Sequence, residues 1–363
     1  MNEFEHKQER IHALLAEKKL DALWLQRVSS FAWATCGAAA YINTASTTGA
    51  ASLLITPKAR YLITNNIEAQ RLEQEQGLGA QGWEFRIADW HAANPAIAEL
   101  TRGLRLGSDF PTPNATDLSN DFARLRANLT PEEGERFRAL GKLCAAAMDA
   151  AIRAVRPCQT EFEIAAQLGA ETQARGAQPI VNLIATDERI FSYRHPLPTA
   201  KRLDKYAMLV LVGRKWGLGC SLTRLIHFGK LSDETRRKMQ ACARIDAAFI
   251  AATRPGAKLR EVFQRAVNEY AATGFADEWH LHHQGGAAGY EPREYLGTPN
   301  SSDVVAPGQA YAWNPSLTGV KSEDTILVGE KTNEVISTIP GWQIIRVNVD
   351  GQVIERPALL EVT

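Results

Sequence analysis

No apolar run in this 363-residue chain reaches the roughly 18 residues that a membrane-crossing helix needs. No glycine-rich loop ends in Lys-Ser or Lys-Thr, so a P-loop nucleotide site is excluded. No Gly-x-Ser-x-Gly turn occurs, which removes the strained serine elbow of many esterases. Cysteines number five, an odd count with no metal-type spacing, and read as reduced thiols in a cytoplasmic protein. Charge of one sign is not in excess: Lys+Arg and Asp+Glu both total 41. A neutral chain offers no overall field for nucleic acid or an anionic membrane. The N-terminal residues 1–7 are polar and charged, and no secretory apolar core follows them. One further absence is local: between Lys205 and Lys230 there is no Asp or Glu.

What is present is ordinary globular composition, 45% hydrophobic and 23% charged. The length suits two domains. Residues 8–19 carry Ile11, Leu14 and Leu15 at helical spacing. Residues 21–25, 51–56, 60–64 and 104–109 read as strands, the middle two joined by a Pro57-Lys58 hairpin signal, and 67–76 as a helix. Thr130-Pro131-Glu132-Glu133 is a helix start, with Thr at the cap and Pro at the first turn. The expected boundary therefore separates residues 1–128, an α/β domain, from residues 129–363.

The second part carries a weak internal repeat. Arg156-Pro157 and Arg254-Pro255 each follow one helical segment and precede another, and the same spacing separates Gly176 from Gly274. Each half reads as helix, Arg-Pro turn, helix, then strands: 206–212 and 220–228 in the first, 310–314, 323–328 and 343–347 in the second. Two copies make a duplicated α/β unit rather than a solenoid.

Three of the eight histidines fall in His280-Leu281-His282-His283, and a Gly-rich run, Gln284-Gly285-Gly286-Ala287-Ala288-Gly289, and a charged cluster, Tyr290-Glu291-Pro292-Arg293-Glu294, follow. Imidazoles on backbone that glycine lets turn sharply suit acid/base or metal chemistry. On alternation along an extended segment, His282 and His283 are expected to face opposite ways.

Five ordered segments resemble the pita-bread superfamily of methionine aminopeptidase, aminopeptidase P, prolidase and creatinase. Arg194-His195-Pro196 resembles its H-N-P motif, and Leu222-Thr223-Arg224 its D-x-T-R-T strand. His283-Gln284-Gly285-Gly286 resembles G-H-G-I-G. Pro307-Gly308 to Asn314-Pro315 resembles P-G-M to E-P, and Val320-Lys321-Ser322-Glu323-Asp324-Thr325 resembles G-x-R-x-E-D-T. The resemblance implies an α/β (α+β) architecture: a creatinase-type N-terminal domain and a C-terminal pita-bread domain with a pseudo-twofold repeat.

Metallopeptidases of that fold hold two metals with Asp, Asp, His, Glu and Glu. The resemblance places those ligands at Val210, Ser221, His283, Asn314 and Glu323. Two dications need oxygen anions around them, and one carboxylate with one imidazole supplies too few. The expectation is a creatinase-like hydrolase or lyase that needs no metal or other cofactor and cleaves a C–N or similar bond of a small molecule. His195 would be its general acid/base, His283 a second proton-transfer or oxyanion group, and Glu323 the orienter of an imidazole. Ser221, Arg224, His282, Tyr290 and Asn314 are the candidate substrate contacts. Each has a bland alternative: a loop histidine for His195, a strand-end salt bridge for Glu323, a buried ion pair for Arg224 and loop packing for Tyr290.

Two other readings stay open, a non-catalytic pita-bread binding protein and a prolidase-type metallopeptidase. The family branch also implies a homodimer. The uncharged run 29–41 suggests that Trp33 or Tyr41 reaches a partner's site; packing inside its own domain is the competing view.

Overall fold

A computed structural model describes residues 2–362. The chain forms two compact units. One runs to Ala127 and takes in Trp216–Leu218; the other comprises Asn128–Lys215 and Gly219 onward.

The first unit opens with α1 (Glu3–Lys18), started by a capping box between Asn2 and Glu5 and burying Ile11, Leu14 and Leu15. Its sheet is built from β1 (Ala22–Arg27), β2 (Thr48–Ile55), β3 (Arg60–Asn65), β4 (Glu84–Ala88), β5 (Leu106–Ser108) and β6 (Thr116–Asp117), in the order β4-β3-β2-β1-β5-β6. Helix α2 (Val28–Ala34) follows β1 directly, α3 spans Ala96–Leu100, and α4 (Ser119–Ala127) closes the unit. The helix expected over 67–76 forms only in part, with a π-helical turn at Arg71–Glu75.

The expectation for Trp33 is corrected here. Ser29–Ala34 are buried, and Trp33 is 0% exposed. Its ring meets Phe122 edge-on at 5.3 Å, with Lys7 and Arg10 each 5.3 Å from its centroid. An apolar run with one wide aromatic fills the core of its own unit, and the ring has no face left for another chain.

The second unit repeats one plan twice. Helices α5 (Pro131–Ala154) and α6 (Glu161–Ala174) flank the Arg156-Pro157 turn, each started by a Thr/Glu capping box. Then come β7 (Gln178–Thr186), the short α7 (Glu188–Ser192), β8 (Tyr206–Lys215) and β9 (Leu218–Phe228). Helices α8 (Asp233–Ala252) and α9 (Leu259–Ala272) flank Arg254-Pro255, and β10 (Gly285–Ala288), β11 (Tyr295–Leu296) and β12 (Ala310–Trp313) follow. The two-residue strands β13 (Ser316–Leu317) and β14 (Val320–Lys321) form a hairpin, and β15 (Asp324–Leu327) and β16 (Glu334–Val335) complete the second half. The chain ends in the hairpin of β17 (Ile344–Val349) and β18 (Gln352–Pro357), and β19 (Leu360–Val362).

These strands make a sheet of order β19-β9-β8-β7 and another of order β11-β10-β12-β15-β16. They meet where Thr223 bridges Glu323 and where the Ser221 N–H donates to Thr325 Oγ1 at 2.9 Å.

The glycine run read as a turn is instead the buried strand β10, hydrogen-bonded between β11 and β12. A Cβ on Gly285, whose φ is +103°, would lie 2.1 Å from the Ala312 carbonyl oxygen; one on Gly286 would lie 2.1 Å from that of Tyr295. Glycine here permits close approach of strands rather than a bend.

Candidate active site

The first component is a loop pinned at both ends. Asp187 accepts backbone N–H groups of Asp204, Lys205 and Tyr206. Buried Glu161 accepts from the backbone and hydroxyl of both Thr186 and Thr199, and from Arg189. The loop between them carries Arg194-His195-Pro196. Arg194 donates to Glu278 Oε2 at 2.7 Å and to Thr318 Oγ1 at 3.1 Å, and Thr318 donates to the same Glu278 oxygen. This clamp sets His195 against the single 3-10 turn Glu278–Leu281 and the residues after it.

The second component is the segment leading into β10. Gln284 braces it, donating to the carbonyls of Trp279 (3.1 Å) and His282 (2.6 Å) and accepting from Tyr270 Oη at 2.7 Å. His282 therefore turns toward His195, and the two Nε2 atoms lie 3.1 Å apart. On the other side of the ring, His282 Nδ1 meets Ser316 Oγ at 3.4 Å. His282 is buried and His283 exposed, as alternation requires, yet the His283 ring stays beside the other two. Its ring centroid is 5.4 Å from that of His195 and 4.6 Å from that of His282. One nitrogen from each of the three imidazoles falls within 4.8 Å of the others. The chain leaves the 3-10 turn at His282 in an extended conformation.

The third component is a buried charge cluster on the strand junction. Glu323, 3% exposed, accepts from Thr223 Oγ1 (2.6 Å), Lys321 Nζ (2.8 Å) and Arg293 Nη2 (3.0 Å). Arg293 also donates to Ser221 Oγ at 3.1 Å. Burial alone would raise the Glu323 pKa; Lys321 and Arg293 outweigh it and hold the carboxyl down at about 2. The imidazoles are pushed the same way. Burial, then Lys321, takes His282 down to about 2. Burial, then Arg293, takes His283 down to about 4. His195 is lowered by burial and Lys321, against the pull of Glu323. Each shift favours the neutral ring.

The structure thus brings His195, His282 and His283 together, with Lys321, Arg293 and Glu323 acting on them. It corrects several individual roles. Glu323 binds Thr223, Lys321 and Arg293, and the partner of His195 is His282. Arg224 is no substrate clamp: 2% exposed, it pairs with Asp324 at 2.8 Å and donates to the carbonyls of Thr223 and Ser337. Asp324 in turn pairs with Arg356 of β18, which also holds Asp246 of α8. Tyr290 is 3% exposed and donates to Glu133 Oε1 at 2.6 Å, so it packs rather than lines a mouth. Ser221 is 0% exposed and accepts from Arg293. Asn314 is buried at the end of β12, its N–H donating to the Gln284 carbonyl. Val210 is buried on β8 opposite Leu183.

Sequence reasoning passed over Arg293, Gln284 and Ser316. Arg293 lay inside the charged cluster after the glycine run. Its partner is 30 positions away, so spacing carried no signal.

Among the described residues, no helix is long and apolar enough to cross a membrane. The chain is 24% identical over 254 residues to an uncharacterized peptidase of Staphylococcus saprophyticus, covering 66% of this chain and 70% of that protein. The Xaa-Pro dipeptidase of Bacillus anthracis superposes with a TM-score of 0.80 at 20% identity, covering 99% of this chain and all of that one. The prolidase of Pyrococcus horikoshii OT3 gives 0.78 at 17% identity, covering 92% and 98%. These likenesses show the pita-bread fold. The model of metallopeptidase family M24 matches residues 135–330, more than half of the chain, and the chain belongs to that family.

Proposed function

We propose that this chain is a hydrolase of small molecules that cleaves a C–N bond without the two-metal centre of its family, with His195 as general base. One observation carries the reading. The five positions that the resemblance assigns to metal ligands are Val210, Ser221, His283, Asn314 and Glu323, and Glu323 is already engaged by two cations and a hydroxyl. A dimetal centre needs several carboxylates; this donor set has one, and fixed positive charges surround it. No step is derived through metals.

The reading takes one of the tautomer pairs that the contacts allow. With His282 Nδ1–H donating to Ser316 Oγ, His282 Nε2 accepts from His195 Nε2–H. The lone pair of His195 is then on Nδ1. That nitrogen takes a proton from water, the hydroxide adds to the carbon of the scissile C–N bond, and the imidazolium returns the proton to the leaving nitrogen. The lowering of the His195 pKa by burial and Lys321 favours the unprotonated base. The same reading retains a small-molecule substrate, no nucleic-acid partner, a cytoplasmic setting and a homodimer.

A second reading has its own support, because three neutral imidazoles within 4.8 Å are also a donor set for one metal ion. Lys321 and Arg293 oppose a dication there. The test is elemental analysis of protein purified without chelator, together with hydrolysis of a panel of small amides and amidines before and after chelation. Metal-free protein with chelator-insensitive activity supports the first reading. Stoichiometric metal, with activity lost on its removal, replaces that reading with the second.

A further inference from the structure

The charged groups facing the three imidazoles are Lys321, Arg293 and Glu323. Two are positive and one negative, and the neighbouring Arg194 is balanced by Glu278. Positive charge therefore predominates among the groups acting on the imidazoles. Lys321 is 4% exposed, and among the described residues its ammonium has a single partner, Glu323 Oε2. Two of its three N–H donors have no acceptor. A buried cation with unused donors is costly unless an anion completes it.

Space for that anion lies beside it. A small void of about 10 Å³ is lined by Lys321, His282, Ser316, Arg194 and Tyr193 among others, and it is about large enough for one oxygen atom. His282 also lines a cleft of about 430 Å³, walled further by Phe263, Trp279, His283, Leu296 and Pro299 among others. Its volume suits a small ligand, and much of its wall is apolar.

We propose that this is an oxyanion site: the substrate carries a carboxylate or phosphate that Lys321 receives beside His282, and an apolar body that fills the cleft His282 also lines. The inference rests on the reading of the His195 cluster as the reaction site. Arg293 acts on the site through its charge: Glu323, Ser221 and the Pro292 carbonyl engage its terminal nitrogens, and its Nε is buried without a partner among the described residues.

The experiment is equilibrium binding to the full chain, followed by calorimetry and by the histidine Cε1–H signals, with no turnover required. The probes are acetate, benzoate, phenyl phosphate and, as the oppositely charged control, benzylammonium. Benzoate is expected to bind at least about ten-fold more tightly than acetate, and benzylammonium not at all. Lys321→Met is expected to weaken benzoate at least about ten-fold. Glu323→Gln removes the one negative charge and is expected to tighten it, a change in the opposite direction that also serves if the first variant does not fold. Preference between benzoate and phenyl phosphate identifies the anionic group. Equal benzoate affinity in wild type and Lys321→Met, equal binding of benzoate and benzylammonium, or weaker binding by folded Glu323→Gln overturns the proposal. Hydrolysis by a His195→Asn variant at the wild-type rate would sink the general-base reading while leaving these affinities standing.

Discussion

His195 Nε2 lies 3.1 Å from His282 Nε2 although 87 positions separate them in the chain. One ring comes from a loop clamped by Arg194 and Glu278, the other from a segment braced by Gln284. His195→Asn is expected to lower kcat by about 10²–10⁴-fold, the usual share of a general base. His195 keeps an edge in solvent, so the thermal midpoint should move little. Steady-state kinetics beside a melting curve checks both. Wild-type kcat removes His195 from the mechanism.

The acid limb of activity should lie below pH 6.5, the ordinary imidazole value, because His195 must be neutral to act and its pKa is lowered. A kcat/KM profile with its acid midpoint above 6.5 would contradict this assignment.

Stability should fall with acidification over the same range. His283 and His282 are lowered from 6.5 to about 4 and about 2, so below pH 6.5 the unfolded chain binds protons that the folded chain refuses. The sign makes stability rise with pH there. Glu323, lowered from 4.5 to about 2, adds stability that is present above 4.5 and is lost on further descent. Melting curves between pH 7.5 and about 4 measure it, and a flat profile would show that the rings titrate normally.

Gly286→Ala should be destabilising despite the small change. Its Cβ would sit 2.1 Å from the Tyr295 carbonyl oxygen, so β11 must move or unpair. Overpacking of this kind costs about 1–3 kcal/mol or more, readable as a lower denaturant midpoint. A midpoint at the wild-type value would mean that the strands are farther apart than described.

Trp33→Ala should cost about 3–5 kcal/mol of stability through the cavity it leaves. Subunit association, if present, should be unaffected, because the ring is 0% exposed in its own unit. Chemical denaturation with light scattering separates the two effects.

The helix pairs, the Arg-Pro turns and the capping box at Thr130 were legible because each is local: a cap and its partner lie three residues apart. His195, His282 and His283 were legible as types and as motif neighbours. Their convergence was not, since it depends on Arg194 finding Glu278 and Thr318. Roles failed where one side chain had two chemically reasonable partners. Glu323 could orient an imidazole or hold cations, and only the fold brings Arg293 and Lys321 to it. Gly285-Gly286 misled in the same way: composition indicates freedom to bend, whereas β11 and β12 on either side turn the missing side chains into proximity.

Glu323 and Asp324 are consecutive, yet each belongs to a different electrostatic system. Glu323 answers to Lys321 and Arg293 beside the imidazoles, and Asp324 to Arg224 and to Arg356 from the terminal hairpin. One peptide unit is thus the septum between the imidazole cluster and the C-terminal β17–β18 ribbon. Cutting or prying away that ribbon would take the only cation from Asp246 among the described residues and leave Asp324 with Arg224 alone, and the septum would shift in response, carrying Glu323 with it. The far end of the polypeptide is in this sense a tether on the chemistry, and its loss should register first as altered ionisation of the histidines.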